Sequence, residues 1–261
     1  MSYELHHGDC IEVMRTLPTE SVDAIVTSPP YAEQRKSTYG GIPEADYPAW
    51  TVSWMAEAKR LLKPDGSAII NISPHVSGGQ ISDYVLRTRL ALRAAGWCEL
   101  DEIVWNKTNA MPTGSPKRPR RAWESLLWYG THGRAWADPK AGGHPVLHPN
   151  IRMGTSRADR LGWDHAKSGA RSTPEIARVS NVLSMAKASK SGPDHPAPFP
   201  WQLAEWCGKL VCPPGGTILD PFSGSASTGI AAIRNGWDYI GIDAVAEYVE
   251  MSRERLRHAA T

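Results

Sequence analysis

Asp220-Pro221-Phe222-Ser223-Gly224-Ser225-Ala226-Ser227-Thr228-Gly229 is a run of small residues pinned between two regular patterns. Before it, Thr217-Ile218-Leu219-Asp220 reads as a buried strand. After it, Ser227 to Asn235 has helical spacing and is closed by Gly236. A small-residue turn at that junction lets the backbone approach a ligand at the strand's carboxyl end. Tyr239 to Asp243 reads as the next strand. Its last residue, Asp243, lies about 20 residues beyond the turn, where an acid can accept hydrogen bonds from ribose hydroxyls. Strand, turn, helix, strand and acid together predict half of a nucleoside-binding crevice. No Gly-Lys-Ser or Gly-Lys-Thr follows, which argues against a phosphate-gripping P-loop.

The same alternation extends outward. Trp201 to Val211 and Val245 to Arg257 read as helices. In the first half, Tyr3 to His7 reads as a strand, Gly8-Asp9 as a turn, and Ile11 to Leu17 as a helix stopped at Pro18. Ala24 to Thr27 is a buried strand that breaks at Ser28-Pro29-Pro30. Trp50, Trp54, Met55, Ala58, Leu61 and Leu62 share a helical face, and Lys63-Pro64-Asp65-Gly66 reads as the turn that ends this helix. Ser67 to Ile72, Glu99 to Trp105 and Ser125 to Tyr129 read as strands, and Tyr84 to Ala95 as a helix. From Thr131 to Ala197 the pattern dissolves into Gly, Pro, His and Arg. A stretch that long without regular structure is uncommon in a compact domain unless it is functional. The expected fold is α/β: a mostly parallel sheet with helices on both faces and one reversed strand. The carboxyl edge of that sheet should gather Asp220, Asp243, Asp9 and Ser28 around one crevice.

Composition narrows the function classes. The 261 residues are 41% hydrophobic and 21% charged, an ordinary globular balance that excludes disorder over the whole length. No run of 18 apolar residues is present, so no membrane span is expected. The polar first residues carry no secretory pattern. Cys10, Cys98, Cys207 and Cys212 are scattered, as expected of reduced thiols in a cytoplasmic protein. Neither they nor His144, His148 and His165 have metal-ligand spacing, so no metal is expected. Eleven Trp against two Phe supply flat faces suited to stacking as well as to cores. The net charge of +2 hides an asymmetry: residues 112–190 carry +9 and the rest −7. A basic segment in an acidic body predicts a polyanionic partner.

A second motif, Thr27-Ser28-Pro29-Pro30-Tyr31, stands after the Ala24 strand. Two prolines fix the backbone and remove N–H donors. A serine oxygen and a carbonyl so held can accept hydrogen bonds from an exocyclic amino group, and Tyr31 offers a face to a base. Taken alone, the motif reads rather as a Pro-Pro turn after a strand, with Tyr31 as packing.

Together the two motifs resemble those of the β class of S-adenosylmethionine-dependent DNA amino-methyltransferases. Ser28-Pro29-Pro30-Tyr31 is similar to that family's [DSN]PP[YF] catalytic motif, and Asp220-Pro221-Phe222-Ser223-Gly224 to its DPFxG cofactor motif. His195-Pro196-Ala197-Pro198-Phe199-Pro200 looks like the segment that closes over the methionine part of the cofactor, and Gly8-Asp9 like its adenine-binding turn. The catalytic motif precedes the cofactor motif, which gives the permuted, Rossmann-like order of the β class. The resemblance implies three parts: catalytic over 1–130, target-recognition over 131–194, and cofactor-binding over 195–261.

It also implies roles. Ser28 and the Pro29 carbonyl would hold the target amino group, with Pro30 fixing the loop and Tyr31 stacking on a flipped-out base. Asp9, Cys10, Ser28, Pro196, Phe199, Pro200, Asp220, Pro221, Phe222, Ser223, Gly224, Ser225, Asp243 and Ala244 would line the S-adenosyl-L-methionine site. Serine at the first catalytic position goes more often with cytosine N4, aspartate with adenine N6. Adenine remains an alternative, as do an RNA substrate and a catalytically silent DNA-recognition module. Lys117, Arg118, Arg120 and Arg121 are the first candidates to contact double-stranded DNA, followed by Arg152, Arg157, Arg160, Lys167, Arg171 and Arg178. Enzymes of this class often pair, which leaves a homodimer open, and the resemblance implies a bacterial or phage-encoded cytoplasmic protein acting on DNA.

Overall fold

The computed structural model describes residues 1–34, 41–111, 116–146, 174–188 and 199–259. Among them the strands are β1 (Tyr3–His7), β2 (Val22–Thr27), β3 (Leu62–Ile72), β4 (Val76–Ser77), β5 (Gln80–Ile81), β6 (Cys98–Lys107), β7 (Trp123–Gly130), β8 (Val182–Met185), β9 (Thr217–Asp220) and β10 (Asp238–Asp243). The helices are α1 (Cys10–Thr16), α2 (Tyr47–Leu61), α3 (Tyr84–Ala94), α4 (Trp201–Val211), α5 (Ser227–Asn235) and α6 (Ala246–Ala259).

Eight strands form one sheet in the order β1-β10-β9-β2-β3-β7-β6-β8. All neighbours are parallel except β7, which runs against both β3 and β6. The expected mostly parallel sheet with one reversed strand is therefore present. Strands buried on both faces send alternate residues to opposite sides. In β2, Ile25 joins the core beneath α1, α2 and α3, whereas Ala24 and Val26 join the core beneath α4 and α5. In β3, Ala68, Ile70 and Ile72 face the first core and Ile69 the second.

Local chemistry sets the helix ends. Asp9 caps α1, its Oδ1 accepting from the Ile11 and Glu12 amides at 2.9 and 3.2 Å. Gly236 ends α5 at φ +73°, the left-handed conformation that suits glycine.

Two expectations need correction. Lys63-Pro64-Asp65-Gly66 is not a turn between helix and strand. It belongs to β3, which starts at Leu62 and bulges: Val22 pairs with Leu62, and the next pair is Ala24 with Ser67. Nor is the stretch from Thr131 to Ala197 irregular throughout, because Val182–Met185 extends the sheet as β8 beside Val104–Lys107. The β4–β5 hairpin is a further element that the sequence reading missed, although Gly78-Gly79, both at positive φ, is a two-residue hairpin signal.

Candidate active site

The parallel arrangement of β1, β10, β9 and β2 brings their carboxyl ends side by side. Asp9, Asp243, Asp220 and Ser28 follow or end those four strands, so one edge collects all four. Backbone bonds seal it: the Gly8 amide donates to Asp243 O at 3.0 Å, and the Ser223 amide to Ile242 O at 2.9 Å.

Asp220 lies beneath this edge, 1% exposed. Its Oδ1 accepts from Thr27 Oγ1 at 2.6 Å and from the Phe222 amide at 3.1 Å. Its Oδ2 accepts from Thr228 Oγ1 at 2.8 Å. The carboxylate thus ties the end of β2, the turn and the first residues of α5 to one point. Burial pushes its pKa up to about 6, against the pull of these three donors and with a push from Asp243. Pro221 beside it is buried.

The turn itself is strained where it meets α5. Gly224 has φ +52°, and Ala226, which is not glycine, has φ +55°. No side chain caps α5, so the amides of its first turn are not engaged by a cap. The Ser223 hydroxyl is paired with Tyr239 Oη at 2.8 Å, and Ser225 is buried. Asp243 Oδ2 accepts from the Gly224 amide at 2.7 Å, and Oδ1 from the Val245 amide at 3.0 Å. Ala244 is exposed at the rim, and so is Asp9. Phe222 is half-buried against Trp50 and Trp54, with ring centroids 5.5 and 5.2 Å away. Cys10 is buried, and burial beside Asp9 pushes its thiol up to about 12, which removes it as a thiolate nucleophile.

Phe199 and Pro200 lead into α4, which Pro200 precedes as N-cap. They line a cleft of about 520 Å³ with Met185 to Ala188, Ser227 and Arg255. Pro196 lies outside the described residues, as do Arg152, Arg157, Arg160, Lys167, Arg171, His148 and His165.

On the other side of the crevice, Ser28 and Pro30 are half-buried and Pro29 is buried. Tyr31 is anchored by its hydroxyl, which donates to Glu124 Oε2 at 2.9 Å. Burial and the neighbouring carboxylate hold that hydroxyl well above the usual phenol range, so it remains a donor. Asn71 Nδ2 donates to the same Glu124 oxygen at 2.9 Å, and Lys107 Nζ to Glu124 Oε1 at 2.6 Å. Sequence reading missed Asn71, Lys107 and Glu124. They converge because β7 is reversed, which puts its first residues beside the last residues of β3 and β6.

Lys117, Arg118, Arg120 and Arg121 are all exposed. Arg118 donates to Gly79 O on the β4–β5 hairpin, Arg121 to Pro74 O at 2.9 Å, and Arg120 to Ala110 O at 3.2 Å. These contacts brace the protein while the side chains present charge. Arg178 is also among the described residues, outside any strand. Among the described residues there is no group of three potential metal ligands and no helix long and apolar enough to cross a membrane.

Residues 22–254 match the family model for DNA methylase of the N6/N4 type. The chain is 27% identical over 282 residues to type II methyltransferase M.PvuII of Proteus hauseri, covering 97% of this chain and 83% of that protein. Its fold is similar to that of the PvuII DNA methyltransferase (cytosine-N4-specific), with a TM-score of 0.74 at 23% identity over 100% of this chain and 92% of that one. It is also similar to a DNA modification methylase from Thermus thermophilus complexed with S-adenosyl-L-methionine, with a TM-score of 0.64 at 23% identity over 100% and 96% of the two chains.

Proposed function

The chain belongs to the S-adenosylmethionine-dependent DNA methylases of the N6/N4 family, and from that premise we propose that it methylates the N4 amine of cytosine in double-stranded DNA. The observation that carries the proposal is the juxtaposition, through the Thr27–Asp220 hydrogen bond of 2.6 Å, of the Ser28-Pro29-Pro30-Tyr31 loop with the Asp220–Ser225 turn. Serine at position 28 and the cytosine-N4 specificity of the PvuII enzyme both support cytosine as the target.

The crevice suits the cofactor. Phe222 and Trp50 offer apolar rings for an adenine. Asp243, buried at the end of β10, and Asp9, exposed at the rim, would offer acceptors to ribose hydroxyls and to the adenine amino group. The turn from Ser223 to Ser225, the uncapped start of α5, and Phe199 with Pro200 would hold the remainder. When bound, S-adenosylmethionine supplies an electrophilic methyl group.

The protein's own part is positioning. In this reading the Ser28 hydroxyl and the Pro29 carbonyl accept the two hydrogens of the target amine. That leaves its lone pair aimed along the line of transfer, and fixed dipoles carry much of the acceleration. Tyr31 gives a face to a base turned out of the duplex. Lys117, Arg118, Arg120 and Arg121 meet phosphates, and residues 131–194 supply target recognition between the catalytic and cofactor parts. A type II modification role on bacterial DNA, in the cytoplasm, follows the relative named above.

The test is methyl transfer from labelled cofactor to unmethylated duplex DNA, with the product digested to nucleosides and separated by mass. A 4-methylcytosine peak is expected. A 6-methyladenine peak would move the base, and label found only on RNA would overturn the DNA reading. Ser28→Ala should lose at least about 100-fold in transfer rate while binding cofactor as before. An active Ser28→Ala enzyme would remove Ser28 from the chemistry.

A further inference from the structure

One polar cluster beside the crevice joins Tyr31 to three residues that have no part in the transfer step itself. Glu124 Oε2 accepts from two donors at once, Tyr31 Oη and Asn71 Nδ2, each at 2.9 Å. Asn71 Nδ2 also donates to Tyr31 Oη at 3.1 Å, which closes a triangle. The other Glu124 oxygen is held by Lys107 Nζ at 2.6 Å. The Glu124 and Lys107 side chains are only 15% and 17% exposed, so solvent screens the pair weakly. The arrangement draws on four places in the chain: the end of β3, the end of β6, the start of β7, and the loop after β2.

The triangle has two consequences. It fixes the Tyr31 ring from its far end, without using the ring's faces. It also fixes which way the Asn71 amide points, because Nδ2 is spent on Glu124 and Tyr31. The Asn71 carbonyl oxygen Oδ1 is left buried and has no partner among the described residues. Asn71 itself is 3% exposed and stands one residue beyond Ile70, the register partner of Thr27. A buried acceptor without a donor calls for an explanation, and a ligand N–H beside Ser28 supplies one.

We infer that Glu124 is a positioning residue for methyl transfer, holding the Tyr31 ring and the Asn71 carbonyl as two fixed walls of the target-base pocket, with Lys107 anchoring Glu124 in turn. The inference rests on the transfer reading given above. Glu124 touches neither base nor cofactor; it acts through Tyr31 and Asn71. Residues that orient others in this way set rate more than affinity, since small misplacements are costly in the transfer geometry.

The experiment compares full-length wild type with Glu124→Ala, Glu124→Gln, Tyr31→Phe and the double variant Glu124→Ala/Tyr31→Phe. It counts total label moved from cofactor to DNA, whichever base receives it. Cofactor affinity is read by tryptophan fluorescence and stability by thermal melting. Glu124→Ala should lower kcat about 100-fold with cofactor affinity unchanged. Glu124→Gln keeps an acceptor for Tyr31 and Asn71 and should recover part of that loss, which a merely structural role would not do. Tyr31→Phe, which removes a single oxygen, should lower kcat about tenfold. In the double variant it should add little to Glu124→Ala, because both changes break the same contact. Glu124→Ala with the kcat of wild type, or losses that multiply in the double variant, would overturn the inference. If Glu124→Ala does not fold, Tyr31→Phe decides: unchanged kcat overturns the inference. A wild type that moves no label onto DNA overturns the transfer reading first, and this inference with it.

Discussion

Asp220 is the residue through which the two halves of the crevice are joined. Its pKa of about 6 stands above the ordinary 3.8 because it is buried. Between those two values the folded protein keeps a proton that the unfolded chain has released. This contribution to stability is complete below about pH 4 and is lost as pH rises through about 6. Asp220→Asn has no such titration. The stability of Asp220→Asn relative to wild type should therefore shift in the variant's favour between about pH 4 and about pH 7, by roughly 2–3 kcal/mol. Urea unfolding of both proteins at the two pH values reads it, and an offset independent of pH would contradict it. The protein tolerates this cost at neutral pH where the carboxylate accepts from Thr27, Phe222 and Thr228 together. An asparagine has one acceptor oxygen to offer these donors. The variant should thus also loosen the hold of the Asp220–Ser225 turn on the end of β2.

At the scale of elements, the close approach of α5 to β10 is what presents the turn. Gly229 makes it achievable: a Cβ there would stand 2.7 and 2.9 Å from the Tyr239 ring and 2.8 Å from Leu256. Tyr239 is 1% exposed and hydrogen-bonded to Ser223, so it has no room to yield. Gly229→Ala should cost about 1–3 kcal/mol by overpacking and should weaken cofactor binding as α5 lifts. Thermal melting and cofactor titration check both effects, and a variant melting with wild type would mean that Tyr239 can turn aside. Elements of this kind were legible in the sequence because their signals are local. Thr217–Asp220 and Ser227–Asn235 announce themselves by apolar runs, small residues and a terminal Gly236. β8 was not legible, because Val182–Met185 has no small-residue turn or terminal acid beside it and stands in a stretch dominated by Gly, Pro, His and Arg. The bulge in β3 was hidden because Pro64-Asp65-Gly66 reads as a turn wherever it stands. For the site, the gathering of Asp9, Ser28, Asp220 and Asp243 follows from parallel strands and could be anticipated. The meeting of Tyr31, Asn71, Lys107 and Glu124 depends on the order β3-β7-β6, which no local pattern encodes.

At the scale of the whole molecule, charge is divided unevenly, with +9 over residues 112–190 and −7 elsewhere. Association with DNA should then weaken steeply with salt, since each phosphate contact releases counterions. Replacing both Lys117 and Arg118 with Ala should flatten the plot of log K against log salt by about 2, one unit per lost contact, with little change in base preference. Fluorescence anisotropy on a labelled duplex measures the slope, and an unchanged slope would exclude these two side chains from the phosphate path. The same scale holds a last consequence, for the order in which the molecule can be made. β1 lies at the sheet's edge with β10 as its partner in that sheet, and Ser2 is hydrogen-bonded to Asp238 across 236 residues of chain. A ribosome releases β1 long before β10. The Asp9 corner of the crevice is therefore left without its floor while everything between the two strands is made. An unpaired strand is open to wrong partners during that interval. The Ser28-Pro29-Pro30-Tyr31 loop after β2 has an early neighbour in β3 and waits for β9 only on its other side. On the roles proposed above, most of the ground under the target is made before the corner that would hold the methyl donor.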